Sequence, residues 1–446
     1  MWQVIFLGLS VLGGLLRRRS LQVWEDAAAS SGLRLLVTSR RPLAIQAREG
    51  PLEVRIEKSP VIGARVVIVV PGPPGFSAVR IRREMNQSLW KSEIEVGDEA
   101  FDSTFFIEGP PPLVCALLDG EARSLLTRVN AKGRLEIVGG RLQADMSDRQ
   151  VREVLALLLA LGRRFAQPLD LERRLAANAR GDPEAGVRLR SLLVLVHERP
   201  AHPATVEALH TACSDPSPEI RLRAAQELRA EGHNALIELA EGAVDDTWSA
   251  QAVSILGRAL PFDRANVILT HALRRRRILT ARACLESLGR RGGAEAVEIL
   301  AQVMAREQGE LAPAAALALG KTGSTAAEPP LILALQHEHA DARTAAASAL
   351  GLVGTAAAVQ PLKEANERSL LHHELRRAAR QAIAAIQLRL PGASPGQLSL
   401  AGIEAGQLSL APAEAGQLSL ATDPAGQLSL PAREVGPLSL GGGGDS

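Results

Sequence analysis

Four leucine–glycine pairs recur in the second half of this 446-residue chain: Leu256-Gly257, Leu288-Gly289, Leu319-Gly320 and Leu350-Gly351. Successive glycines are 32, 31 and 31 residues apart. A fixed period in this range marks an array of small stacked units. Each unit buries its apolar face only against its neighbours, so the array, not the unit, is what folds.

The unit reads as two helices. Its second helix is typified by Asp341 to Gly351, where alanines crowd the side that must approach the next helix. The glycine after the last leucine is expected to end that helix in a left-handed conformation. Pro330 and Pro361, 31 apart, keep step with the glycines at helix starts, where a missing N–H is harmless. Asp182-Pro183 to Arg190 resembles Asp215-Pro216 to Arg223, 33 residues later, and carries the array towards the N-terminus. Asp-Pro there reads as loop and N-cap. The spacing predicts an all-α solenoid of about seven helix pairs over 169–390.

This pattern resembles the short HEAT-like repeats of phycobilin lyase-type and other bacterial repeat proteins. The layout as a whole resembles uncharacterised bacterial HEAT-repeat proteins with an N-terminal membrane anchor and a small α+β domain. The resemblance implies a helical solenoid used as a binding surface. Its lyase branch implies an alternative, a lyase-like or cofactor-handling protein.

Before the array the patterning changes. From Gly32 to Glu108, alternating stretches read as strands: 33–35, 52–57, 66–70, 79–82 and 93–96. A helix is expected over 112–129, a hairpin over 134–146 around Gly139-Gly140, and an apolar helix over 148–165. Residues 21–168 are therefore expected to form an α+β domain. Residues 1–16 are apolar almost throughout, and Arg17-Arg18-Arg19 follow. Charge after the run, not before it, opposes a cleaved secretory signal and favours a membrane anchor over 1–20, with the following domains in the cytoplasm.

Charge narrows the functions available. Residues 204–390 hold 21 basic and 21 acidic side chains, without the basic stripe of a nucleic-acid solenoid. Arg274 to Arg277 are a local exception, expected to be a solvated helix-end cluster. Aromatics are 2% of the chain, so its cores must be aliphatic. Cys115, Cys213 and Cys284 form no pairing motif, and the last two are expected on buried helix faces. Asp98, Glu99 and Asp102 lack the further oxygen ligands of a calcium loop. Pro71 to Gly75 lacks the Lys-Ser/Thr pair of a phosphate loop. His337-Glu338-His339 and His372-His373 do not make a zinc set by spacing. No catalytic residue, metal or cofactor is expected.

After Leu390 the chain turns repetitive. Five units begin at Gly396, Gly406, Gly416, Gly426 and Gly436, four reading Gly-Gln-Leu-Ser-Leu and the last Gly-Pro-Leu-Ser-Leu. Residues 391–446 are expected to be a disordered low-complexity tail. The sequence thus reads as a non-enzymatic scaffold on the cytoplasmic membrane face, binding protein partners rather than nucleic acid. Second helices normally line the concave side of such an array, which makes Arg188, Arg221, Arg223, Arg343 and Arg376 candidate partner contacts. Leu398, Leu400, Leu408 and Leu410 would add repeated weak contacts by strand addition.

Overall fold

The computed structural model describes residues 18–40, 43–84, 93–242, 245–307, 309–368, 372–389, 398–400 and 408–410. The chain divides into two compact units at Gly232/His233. Residues 1–17, which carry the expected anchor, lie outside the described residues, as do 401–407 and 411–446. Among the described residues no helix is long and apolar enough to cross a membrane.

The first unit is built on an eight-stranded antiparallel sheet. Its strands are β1 (Arg34–Arg40), β2 (Leu43–Glu49), β3 (Leu52–Lys58), β4 (Ala64–Val69), β5 (Arg80–Arg83), β6 (Phe105–Glu108), β7 (Arg134–Val138) and β8 (Arg141–Met146). Their spatial order is β1-β2-β3-β4-β8-β7-β5-β6. Alternation decides the faces: in β3, Leu52, Val54 and Ile56 are buried while Glu53 and Arg55 face water. The β7–β8 hairpin turns through Gly139 and Gly140, both at positive φ (60° and 76°), a turn that suits glycine.

Two strands escaped the sequence reading. β2 is diluted by alanines, and in β6 Phe105, Phe106 and Ile107 are all buried, so neither alternates cleanly. The stretch 93–96 is not a strand, although Ile94 N–H donates to the Ile107 carbonyl at 2.9 Å. The helix expected over 112–129 is two, Pro111–Leu117 and Gly120–Asn130. Asp119 breaks it by accepting from Ala122 N–H at 3.0 Å as the second helix's N-cap.

A helix over residues 18–30 and the helix Val151–Phe165 belong to the core of this sheet. Trp24 is fully buried, and its indole N–H donates to Asp148 at 3.1 Å. Ser20 donates to the other oxygen of Asp148 at 2.7 Å. Residues 18–20, at the end of the expected anchor, thus belong to a helix of the folded domain. Two helix pairs complete the unit, Leu171–Gly181 with Ala185–Glu198 and Pro203–Ala212 with Pro218–Glu227.

The second unit contains five further pairs. They are His233–Glu241 with Asp246–Leu256, Phe262–Arg274 with Ile278–Arg291, Ala294–Arg306 with Leu311–Lys321, Glu328–Ala334 with Ala340–Val353, and Val359–Arg368 with His373–Arg389. The repeating glycine does not do what its position in the sequence implied. Gly257 does end its helix at positive φ, but Gly289, Gly320 and Gly351 lie inside theirs. A Cβ on Gly289 would stand 2.6 Å from the Ala318 carbonyl oxygen, and one on Gly320 would stand 2.8 Å from the Ala349 Cβ. The glycine is there because the next second helix needs its space, and Gly292 (φ 71°) ends the helix that contains Gly289.

Beyond the pairs, β9 (Leu398–Leu400) and β10 (Leu408–Leu410) pair antiparallel, with Leu408 opposite Leu400 and Leu410 opposite Leu398. Within the expected tail, two of the repeated units therefore pair with one another.

Candidate binding face of the second helices

Glycine and alanine at the contacts set the geometry of the second unit. Helices Ile278–Arg291, Leu311–Lys321, Ala340–Val353 and His373–Arg389 pack side by side, Gly289 on Ala318, Gly320 on Ala349 and Gly351 on Ala382. Small residues allow this closeness, and helices with larger side chains at the contact stand further apart. The first helices leave a cleft of about 450 Å³ between Ala294–Arg306 and Glu328–Ala334, lined by Ala301, Met304, Ala305, Pro330 and Leu333. The second helices are thus the closely packed layer of the second unit, called its inner layer below.

The outward positions of that inner layer recur with the repeat. Arg282, Glu286 and Arg290 occupy successive turns of one helix, and Pro313, Leu317 and Lys321 occupy the corresponding turns of the next. The correspondence is physical: Lys321 Nζ reaches Glu286 at 3.1 Å from the neighbouring helix. Glu286 also pairs with Arg290 at 3.6 Å. Lys321 foremost, then Arg290 and Arg282, hold the Glu286 carboxyl below its ordinary range. Arg258 is exposed one repeat earlier, and Leu317 and Leu352 are large exposed apolar side chains on the same layer.

The family model described as HEAT repeats matches residues 307–384, within the second unit. No curated protein matches the chain. Among solved structures, it is similar to human deoxyhypusine hydroxylase, with 16% identity over 49% of this chain and 96% of that one at a TM-score of 0.22. The CpcE–CpcF complex of phycocyanin lyase from Nostoc sp. is 19% identical over 49% of this chain and 96% of that one, at a TM-score of 0.28. Importin beta is 16% identical over 56% of this chain and 40% of its own, at a TM-score of 0.38. The chain carries a HEAT-like helical repeat region and an N-terminal antiparallel sheet.

The five arginines singled out by the sequence are not alike. Arg188 is held inside the array by a bidentate pair with Asp215 (2.8 and 2.9 Å) and a bond to the Asp182 carbonyl at 2.9 Å. The Asp215 bond raises its pKa above the ordinary guanidinium value. Arg343 donates to the His337 and Glu338 carbonyls (2.7 and 2.8 Å) and so tethers the loop before its own helix. Arg221 and Arg376 are half-buried, each with a buried Nε that has no hydrogen-bond partner among the described residues. Arg223 is exposed and reaches Gln226 at 3.3 Å. Arg258, Arg282, Arg290 and Lys321 are exposed cations of the inner layer, as are Arg377 and Arg380 on its last helix. The sequence signal that would have found them is the glycine register, with Arg290 and Lys321 each one residue after the repeating glycine. For Leu398, Leu400, Leu408 and Leu410 the described feature is the backbone pairing of β9 with β10.

The acidic stretch Asp98 to Asp102 is structural. Asp98 caps the short helix Glu99–Asp102 and accepts from Arg123 Nε at 2.8 Å. Asp102 accepts from the Val96 and Gly97 N–H groups. Arg123 also binds both oxygens of Asp182 (2.8 and 3.0 Å), which joins the sheet domain to the first helix pair. Burial opposes the Arg123 charge, but Asp182 and Asp98 outweigh it and leave its pKa raised. Gly97 lies against Gly186 so closely that a Cβ on Gly186 would be 2.2 Å from the Gly97 oxygen.

The remaining candidates resolve in the same way. Gly72 closes over the Phe76 ring, whose nearest carbon is 2.3 Å from where a Cβ would stand. Arg277 stands at the N-cap position of Ile278–Arg291, donates to Ser249 Oγ and reaches the Gly242 carbonyl at 3.2 Å, while Arg274, Arg275 and Arg276 are exposed. Among the described residues no group of three or more His, Cys, Asp or Glu side chains could hold a metal. Cys115 and Cys284 are buried, which pushes their thiols up to about 11 and about 12.

Proposed function

We propose that the protein is a non-enzymatic scaffold that binds a protein partner on the inner layer of its second unit. The observation that carries the reading is that layer itself, a closely packed helical face with outward Arg258, Arg282, Arg290, Lys321, Leu317 and Leu352. Match to a HEAT-repeat model supports it, since stacked helix pairs offer extended binding surfaces. Partner binding through exposed charged and apolar side chains is the use such a face allows.

The proposal places the scaffold at the cytoplasmic face of a membrane, tethered through residues 1–17. Support comes from the apolar run with Arg17 to Arg19 after it.

Affinity capture from detergent-solubilised cells tests both parts. Full-length protein is expected to retain partners that an Arg290→Glu/Leu317→Ser/Leu352→Ser variant loses, and to sediment with membranes. Identical capture by the two chains would overturn the binding face, and recovery of the full-length protein in the soluble fraction would overturn the tether.

A further inference from the structure

The first helices of the second unit carry a surface that the inner layer does not use. The cleft of about 450 Å³ between Ala294–Arg306 and Glu328–Ala334 is lined by small side chains, Ala301, Ala305 and Ala334, and by Leu333. Leu333 is 74% exposed, more than any other large apolar side chain among the described residues. Alanine side chains end at Cβ and leave a hole, while the leucine beside them projects into water. An apolar knob thus stands next to an apolar hole.

The two ends of the cleft differ in charge. Glu298 and Arg306 both line it from the same helix, and both are exposed. Eight residues of helix separate them, about 12 Å along the axis. Glu298 accepts from the Gln302 amide at 3.4 Å, a neutral donor that leaves its charge in place. The 31-residue period sets Leu333 level with Gln302, midway between the two charges, and His337 level with Arg306. His337 lines the cleft at the Arg306 end.

A cleft with a knob at its middle and opposite charges at its ends is complementary to its own image turned by 180°. We infer that its occupant is a second copy of this chain, docked about a two-fold axis at the level of Leu333. Each Leu333 enters the alanine-lined cleft of the other copy, and each Glu298 meets the other copy's Arg306. A two-fold contact pairs one patch with itself, so a single acid–base polarity gives two ion pairs. The opposite alignment would set Glu298 against Glu298 and Arg306 against Arg306. Exposed ion pairs add little affinity but fix orientation, so the buried leucines drive association and the charges choose its direction. The cleft is small beside the ~1,600 Å² that a standard interface buries, so the dimer is weak and forms as concentration rises. The inference is independent of the binding face on the second helices. A dimer joined through first helices carries two copies of that face, and a partner with repeated sites would be held by both at once.

Sedimentation velocity of the detergent-solubilised full-length protein, from about 1 to about 100 µM, tests the contact. The wild-type chain is expected to pass from monomer to dimer over that range. Leu333→Asp is expected to weaken the dimer by about tenfold or more and to leave thermal unfolding unchanged, since the leucine is exposed in the single chain. Arg306→Glu is expected to weaken it as well, by opposing carboxylates at both ends of the contact. Adding Glu298→Arg to that variant reverses the polarity and is expected to restore the dimer. Circular dichroism establishes that each variant is folded, and if a charge variant is not, Leu333→Asp decides alone. A wild-type chain that stays monomeric, a dimer indifferent to Leu333→Asp, or a folded polarity swap that restores nothing would each overturn the proposal. Partner capture is scored separately, because a monomeric chain that captures partners sinks this inference and leaves the scaffold reading standing.

Discussion

Glycine marks the repeat because of what lies beside it. At Gly289 an added methyl would meet the Ala318 backbone at 2.6 Å, and backbone has no rotamer to escape by. Two effects compete in Gly289→Ala. Alanine gains up to ~1 kcal/mol in helix propensity. Overpacking against a fixed neighbour costs about 1–3 kcal/mol. Overpacking is expected to win, with a net loss of stability of the second unit in denaturant unfolding. Gly181→Ala, with open space around the same methyl, is the matched control and is expected to be neutral or stabilising. Equal behaviour of the two variants would remove the packing explanation. Asp145 gives a pH-dependent counterpart in the first unit. Burial disfavours its charge, but Arg65 (2.8 and 2.9 Å) and Ser59 (2.6 Å) outweigh that and lower its pKa. A carboxyl with a depressed folded pKa adds stability above its unfolded pKa, about 3.9, and loses it as pH falls through the folded value. Asp145→Asn is therefore expected to be less stable than wild type at pH 7, with the gap closing below about pH 4. Guanidinium titrations at pH 7, 5 and 3 measure this, and a gap independent of pH would refute it.

At the scale of elements, a sequence pattern was legible where one face of an element was buried and the other wet. β3, β4 and the β7–β8 hairpin are of this kind. β6, with Phe105, Phe106 and Ile107 all buried, and the alanine-diluted β2 were not legible. The layer of second helices was legible from the repeat, but the surroundings of its arginines were not. Arg188 and Arg343 share the helix positions of surface residues, and only the fold shows that the preceding loops and Asp215 consume them. The 18–30 helix was not legible, because the apolar run before it dominates the sequence pattern there. Its weight in the fold can be measured. Trp24 is fully buried and bonded to Asp148, and truncating a buried large aromatic costs about 3–5 kcal/mol. Trp24→Ala is expected to lower the stability of the first unit by that amount in chemical unfolding. A loss below about 1 kcal/mol would mean that the helix rests on the sheet without supporting it.

The whole chain is two compact units, and each holds one buried thiol. Cys115 lies in the first unit beside Asn178, whose side-chain amide donates to its carbonyl at 2.9 Å. Cys284 lies in the second, inside the helix that also carries Gly289. Burial holds the two at about 11 and about 12, so neither is appreciably a thiolate at pH 8 while folded. Reaction with a thiol reagent then requires opening of the surrounding unit, and its rate reports that unit alone. Trp24→Ala is expected to speed modification of Cys115 and leave Cys284 unchanged, while Gly289→Ala does the reverse. Mass spectrometry of peptides after timed alkylation of the intact protein separates the two sites. Separate cores predict separate openings, because a unit that buries its own apolar surface gains stability that the other does not share. Both thiols accelerating together in either variant would instead mean that the chain opens as one cooperative body.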